Sequence, residues 1–300
     1  MKEFVIFWIM ALGIIFLVIG VTGVFSSHTK NPTASVSEVE RTDAHAHERR
    51  GENVSEEKAG LDQRPLQDEH AYYKFHVSCQ VPGLSELYEQ VFGLTPHGQF
   101  VEFGAFDGEL YSNTSGLADI GWRGLYIEPN PEFAEKCAQR HAKNQVVVVP
   151  YAVGSDERTI TLNLGGAYST VSEETKKIYN NEKLFQVQVG EKTIQVQQRK
   201  LHDILLENHV QPGFEVMVVD IEGFECEALR NFDISYWKPR VVIIEIEDQH
   251  EAFQTRNSAI TEEEFQRVQQ RFQNLRTYFK DAQYDILYQD YINTMYVLPK

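Results

Sequence analysis

The stretch Phe100-Val101-Glu102-Phe103-Gly104-Ala105-Phe106-Asp107-Gly108-Glu109 sets narrow limits on the fold. A short apolar run ends in an acid, and a glycine-bearing turn follows. The small polar residues Ser112-Asn113-Thr114 can then open a helix. About 20 residues further on, Gly124-Leu125-Tyr126-Ile127-Glu128 is a second apolar run ending in a carboxylate, the spacing that nucleotide-binding α/β folds use. Gly104 and Gly108 allow a tight turn and close approach of backbone to a ligand. Glu128 then sits where a carboxylate can accept both hydrogens of a ribose diol.

The spacing departs from the dinucleotide fingerprint, whose three glycines let helix amides hold a pyrophosphate. Here Glu102, Asp107 and Glu109 would repel such a group. They suit a ligand with a cationic end, such as the amino group and sulfonium of S-adenosylmethionine. An ordinary α/β turn with solvated acids is the plainer account of the first segment alone, and Glu128 in register weighs against it.

Alternation of strand and helix patterns runs on from there and predicts a mainly parallel sheet covered on both faces. Strands are expected at 100–103, 124–127, 146–150, 216–220 and 241–246. Helices are expected near 84–92, 112–120, 131–143, 201–208, 226–231 and 262–282, with a closing β-pair at 285–288 and 293–298. Period-2 spacing at 159–164 predicts an inserted strand. The same spacing at 186–189 and 193–197, with Gly190 between, predicts two more. Residues 167–183 read as a polar loop in which Ser169 and Thr170 approach the substrate.

These segments together resemble the FkbM-type methyltransferases, a branch of the class I S-adenosylmethionine-dependent enzymes. The resemblance spans residues 99–299. It rests on the two segments above, with Gly121-Trp122-Arg123 before the second and Pro129-Asn130-Pro131 after it. Ala152-Val153-Gly154, Leu201-His202-Asp203-Ile204-Leu205, Val219-Asp220-Ile221-Glu222-Gly223-Phe224-Glu225 and Pro239-Arg240-Val241-Val242-Ile243-Ile244-Glu245 follow in order. It implies a Rossmann-like α/β methyltransferase sheet with a terminal antiparallel β-pair. It also implies S-adenosyl-L-methionine as cofactor and methyl transfer to a hydroxyl of a sugar or other polyhydroxylated metabolite. The family includes animal membrane proteins of the Star type, so a trafficking or interaction protein that keeps the fold without turnover is the alternative.

On this template the cofactor residues are Glu102 and Gly104 at the methionine portion, Asp107 and Gly108 in the turn, and Glu128 with Asn130 at the ribose. Ala152 and Val153 form an adenine wall, with strand packing as their plainer role. Asp220 lies near the methionine. Glu222 and His250 are the candidate bases for the acceptor hydroxyl, since a positioned carboxylate or imidazole removes such a proton. A helix N-terminal carboxylate and a solvated loop histidine are their plainer roles. Glu245 and Glu247 share one strand face and are able to bind a divalent cation, yet no metal site is assigned. An N-methyltransferase would carry an Asn/Asp-Pro-Pro-Tyr-like segment where this chain has Asp220-Ile221-Glu222-Gly223. His202 and Trp122 read as packing residues, and Tyr288, Tyr291 and Tyr296 as core or rim.

Residues 4–25 are apolar and uncharged, long enough to span a bilayer. They predict a membrane anchor over 1–25 in preference to a cleaved signal. Residues 26–71 are polar and poor in aromatics and read as a flexible stem carrying solvated histidines. Residues 72–300 form the methyltransferase domain. The flanking charges do not decide on which side of the membrane it lies. A net charge of −16 excludes the basic face of a non-specific nucleic-acid binder. Cys79, Cys137 and Cys226 are too few and too scattered for a disulfide framework or zinc site and read as buried or partly buried thiols.

Overall fold

The computed structural model describes residues 71–75, 79–181, 187–254 and 258–300. The expected anchor and nearly all of the stem lie outside them. Among the described residues no helix is long and apolar enough to cross a membrane.

Among the described residues ten strands form: β1 (Gln99–Phe103), β2 (Arg123–Ile127), β3 (Val146–Val149), β4 (Ala152–Gly154), β5 (Arg158–Asn163), β6 (Thr193–Lys200), β7 (Val216–Val219), β8 (Val241–Glu245), β9 (Asp285–Gln289) and β10 (Asn293–Val297). Seven make one sheet in the order β3-β2-β1-β7-β8-β10-β9. The first five are mutually parallel, and β10 runs antiparallel to both β8 and β9. Successive strands wind outward from β1 to β3, then restart at β7 on the other side of β1. A crevice must therefore open at the carboxyl ends of β1 and β7, where ligands bind in open α/β sheets.

Both sheet faces are covered. Val101, Phe103, Leu125, Ile127, Met217 and Val219 point into one buried cluster, and Phe100, Tyr126, Val216 and Val218 into the other. This explains why the central strands read as continuous apolar runs. The long helix Glu262–Asp281 closes the first face with Leu275 and Phe279, while its Val268 packs in a smaller cluster with Tyr179 and Phe253. It starts at a capping box in which Thr261 and Glu264 satisfy each other's backbone amides.

A second sheet, β4-β6-β5, is the insertion. Its pairing corrects the expected one. β6 pairs antiparallel with β5 and parallel with β4, whereas residues 187–189 form no strand. The Asn180 side chain satisfies the Val189 backbone in place of a neighbouring strand: it accepts from the Val189 amide at 2.7 Å and donates to the Val189 carbonyl at 2.8 Å. The expected loop also holds a helix, Glu173–Tyr179, started by Ser172 as N-cap. Cys79 and Cys137 are buried and Cys226 is partly so, and the Cys79 thiol donates to the Val81 carbonyl at 3.1 Å. His202 accepts from the Trp237 indole at 3.1 Å and is a packing residue.

Candidate active site

The turn after β1 is built around Glu128. Its Oε2 accepts from the Phe106 amide at 2.9 Å and its Oε1 from the Asn130 amide at 2.8 Å. The carboxylate thus folds the Gly104–Gly108 turn over itself. A carboxylate offers about four lone-pair sites, so both oxygens remain able to accept a further hydrogen. Burial pushes this carboxyl up to about 7.

Glu102 has a different task. It accepts from the Ser112 hydroxyl at 2.9 Å, the Asn113 amide at 3.3 Å and the Thr114 hydroxyl. These bonds dock the segment that opens the helix Ser115–Asp119. Burial raises the Glu102 carboxyl to about 7 as well. Glu102 borders the crevice with its lone pairs largely committed to the protein.

The crevice is a cleft lined by Glu102, Gly104, Glu128, Ala152, Val153, Asp220 and Glu222, among others. The structure therefore brings together seven of the residues expected from sequence. Ala152 and Val153 are also strand residues, buried in β4. Four others stand off the cleft lining. Asp107 holds the turn by accepting from the Glu109 and Leu110 amides at 3.0 and 2.8 Å. Gly108 packs on the next helix, where a Cβ would meet the Cys137 sulfur at 2.6 Å. Asn130 is the N-cap of the helix Pro131–Arg140, accepting from the Glu132 amide at 3.0 Å. His250 follows a 3-10 turn, Glu247–Gln249, that carries it away from β8, and its ring lies against Tyr291 and Phe253 at 5.8 and 6.0 Å. His250 stands outside the residues that line the cleft.

Opposite Glu128, the Asp220 Oδ2 accepts from the Gln80 side chain at 2.8 Å. Glu222 is buried, at a φ of +56°. This strained conformation is held from the insertion. The Thr170 hydroxyl donates to the Glu222 carbonyl at 2.7 Å, and the Tyr179 hydroxyl donates to the Glu222 carboxylate. Burial, then repulsion from neighbouring acids, pushes Glu222 well above the usual carboxylate range. Sequence reasoning missed Tyr179 and Gln80. Only the Ser172-x-x-Thr175 cap spacing hinted at the helix that carries Tyr179. Ser169 lines the cleft as expected, while Thr170 serves Glu222.

Fold and cleft define an S-adenosylmethionine-type α/β methyltransferase. The model of the methyltransferase FkbM domain matches residues 102–286, and the chain belongs to this family. No curated protein matches it significantly. Among solved structures it is similar to an O-methyltransferase of Streptomyces achromogenes in complex with S-adenosylmethionine, with 16% identity over 72% of this chain and 78% of that one and a TM-score of 0.37. It is similar also to an O-methyltransferase of Bacillus cereus in complex with S-adenosylhomocysteine, at 14% identity over 71% and 78% and a TM-score of 0.39. A third is a Podospora anserina methyltransferase bound to S-adenosylhomocysteine, at 9% identity over 68% and 72% and a TM-score of 0.38.

The family's cofactor is S-adenosylmethionine. The residues present fit it. Glu128 has free lone pairs for two ribose hydroxyls, and Tyr151, Ala152 and Val153 give the cleft an apolar wall. The carboxylates of Glu102 and Asp220 suit its cationic end.

Proposed function

We propose that the chain transfers a methyl group to a hydroxyl of a small acceptor, a carbohydrate or another polyhydroxylated metabolite. The observation that carries this reading is the buried Glu222 carboxylate on the cleft, across from Glu128 and gripped by Tyr179. When bound, S-adenosylmethionine supplies an electrophilic methyl on a sulfonium and is left as the neutral thioether. Glu128 anchors the ribose, and Glu102 and Asp220 balance positive charge. Glu222 accepts the acceptor's hydroxyl proton as the oxygen–carbon bond forms. Its raised proton affinity makes it a stronger base once ionised. Ser169 and Leu110 border the acceptor side, and the apolar walls exclude water and fix the line of approach.

The apolar run at 4–25 places this activity on a membrane surface in the same proposal. The test is titration of the full-length chain with S-adenosylhomocysteine, followed by transfer of labelled methyl to a panel of polyols, sugars and lipids. Cofactor binding with labelled acceptor is the expected result. Absence of cofactor binding would instead favour an interaction protein of the Star type.

A further inference from the structure

The segment Cys79-Gln80-Val81 precedes residues 102–286, the stretch that matches the family. It nevertheless reaches the carboxyl ends of β1 and β7. Cys79 pairs with Tyr111 in a parallel bridge, which lays the segment alongside Tyr111-Ser112-Asn113. Cys79, Gln80 and Val81 are all buried. Gln80 is the polar side chain among them, and a buried side-chain amide needs partners.

Those partners fix which way Gln80 points. The Val81 amide donates to the Asn113 Oδ1 at 3.2 Å. A backbone amide can only donate, so Asn113 must turn its NH₂ group the other way. That group donates to the Gln80 Oε1 at 3.2 Å. The Gln80 NH₂ is left to face Asp220, and it donates to Oδ2 at 2.8 Å. Asn113 is itself held at its backbone. Its amide donates to Glu102 at 3.3 Å, and its carbonyl accepts from the Tyr88 hydroxyl at 2.8 Å. The Asp220 Oδ1 has no hydrogen-bond partner. Among the described residues, the bond from Gln80 is therefore what sets the rotation of the Asp220 carboxylate. Asp220 lines the cleft and Gln80 does not, so any effect of Gln80 on a ligand passes through Asp220.

We propose that Gln80 is a positioning residue for the cofactor, holding the Asp220 carboxylate in the orientation that meets the cofactor's amino group. Groups that touch a ligand keep their geometry when hydrogen bonds behind them lock their rotation. A neutral amide does this without cancelling the carboxylate's charge, as a lysine or arginine in its place would. The role rests on the family's cofactor and not on the proposed acceptor. It extends the cofactor site to a residue ahead of the stretch that matches the family.

The test is calorimetry on the full-length chain with S-adenosylhomocysteine and 5′-methylthioadenosine. The first carries the amino group. The second keeps the nucleoside and the sulfur and lacks the amino-acid end. Gln80→Met removes the donor at similar length. It should weaken S-adenosylhomocysteine about tenfold, as loss of a hydrogen bond to a charged group does, and leave 5′-methylthioadenosine within about twofold. In an Asp220→Asn background the same substitution should add almost nothing, because residues that act as a unit are not additive. Gln80→Asn, one methylene short of Asp220, should reproduce the selective loss, and it decides the matter if Gln80→Met does not fold. Equal weakening of both ligands, no weakening, or full additivity with Asp220→Asn overturns the proposal. A native chain that binds neither ligand overturns the cofactor site and this role together. Binding of both that ignores Gln80 removes the role alone.

Discussion

A methyl group placed on Gly104 would lie 1.5 Å from the backbone carbonyl oxygen of Asp220. The turn that follows β1 and the segment that follows β7 thus touch backbone to backbone at the sheet's switch point. Gly104 also has a φ of +85°. Gly104→Ala should destabilise the fold by about 3 kcal/mol or more, summing overpacking and left-handed strain. It should also abolish S-adenosylhomocysteine binding. Chemical denaturation and calorimetry check both, and a variant with native stability would refute the contact.

Glu128 carries the ribose assignment. Glu128→Ala should weaken S-adenosylhomocysteine by about 1.5–3 kcal/mol, the loss expected for hydrogen bonds to a charged group. Affinity in the native chain should rise with pH through about 7, as the buried carboxyl ionises and becomes a pure acceptor. Calorimetry across pH in buffers of differing ionisation heat reads both effects. Affinity indifferent to pH and to the substitution would move the ribose elsewhere.

Glu222 and Tyr179 should act as a unit. Glu222→Gln should lower turnover about 10²–10⁴-fold with cofactor affinity nearly unchanged. The Tyr179 hydroxyl favours the ionised carboxylate, so Tyr179→Phe should move the ascending limb of the pH–rate profile to higher pH. A structural defect alone would lower the rate without moving that limb. His250→Asn should turn over at close to the native rate, since the ring packs on Tyr291 and Phe253 off the cleft.

Stability of the ligand-free chain should fall as pH rises. Glu102 and Glu128 titrate at about 7 in the folded chain against an ordinary value of 4.5. Between those values the folded state keeps protons that the unfolded state has released, so each step upward in pH favours unfolding. Melting temperature measured across this window should decline, and Glu128→Gln should flatten the slope. A curve that rises from 4.5 to 7 would contradict the burial of these acids.

The main sheet was legible because its strands are buried on both faces. Val216-Met217-Val218-Val219 and Val241-Val242-Ile243-Ile244 admit no solvent-facing position, and their lengths suit strands. The closing pair β9–β10 was legible for another reason: β9 is exposed or half-buried throughout, and the pair follows from the way class I methyltransferases end. β4 escaped notice: three residues, Ala152–Gly154, show no period. At 187–189 the alternation was misleading, because the Asn180 amide satisfies Val189 and sequence spacing does not report such a partner. In the site, residues fixed by strand ends were readable, as with Glu102, Glu128 and Asp220. Tyr179 was not, because it reaches Glu222 across 43 positions of sequence. The place of His250 was not legible, because a residue five positions past Glu245 tells nothing of the 3-10 turn between them.

The grip of Thr170 and Tyr179 on Glu222 divides the cleft between two inheritances. The ribose side of the cofactor wall belongs to the main sheet, where Glu128 and Gly104 cannot change without loss of the switch-point turn. The facing wall hangs from the hairpin of β5 and β6, whose residues Leu162, Ala167, Ser169 and Val171 border the same space. That hairpin shares no ladder with the main sheet. Grafting residues 158–200 from one member of the family onto another should therefore carry acceptor preference with it, as a tool head is exchanged on a fixed handle.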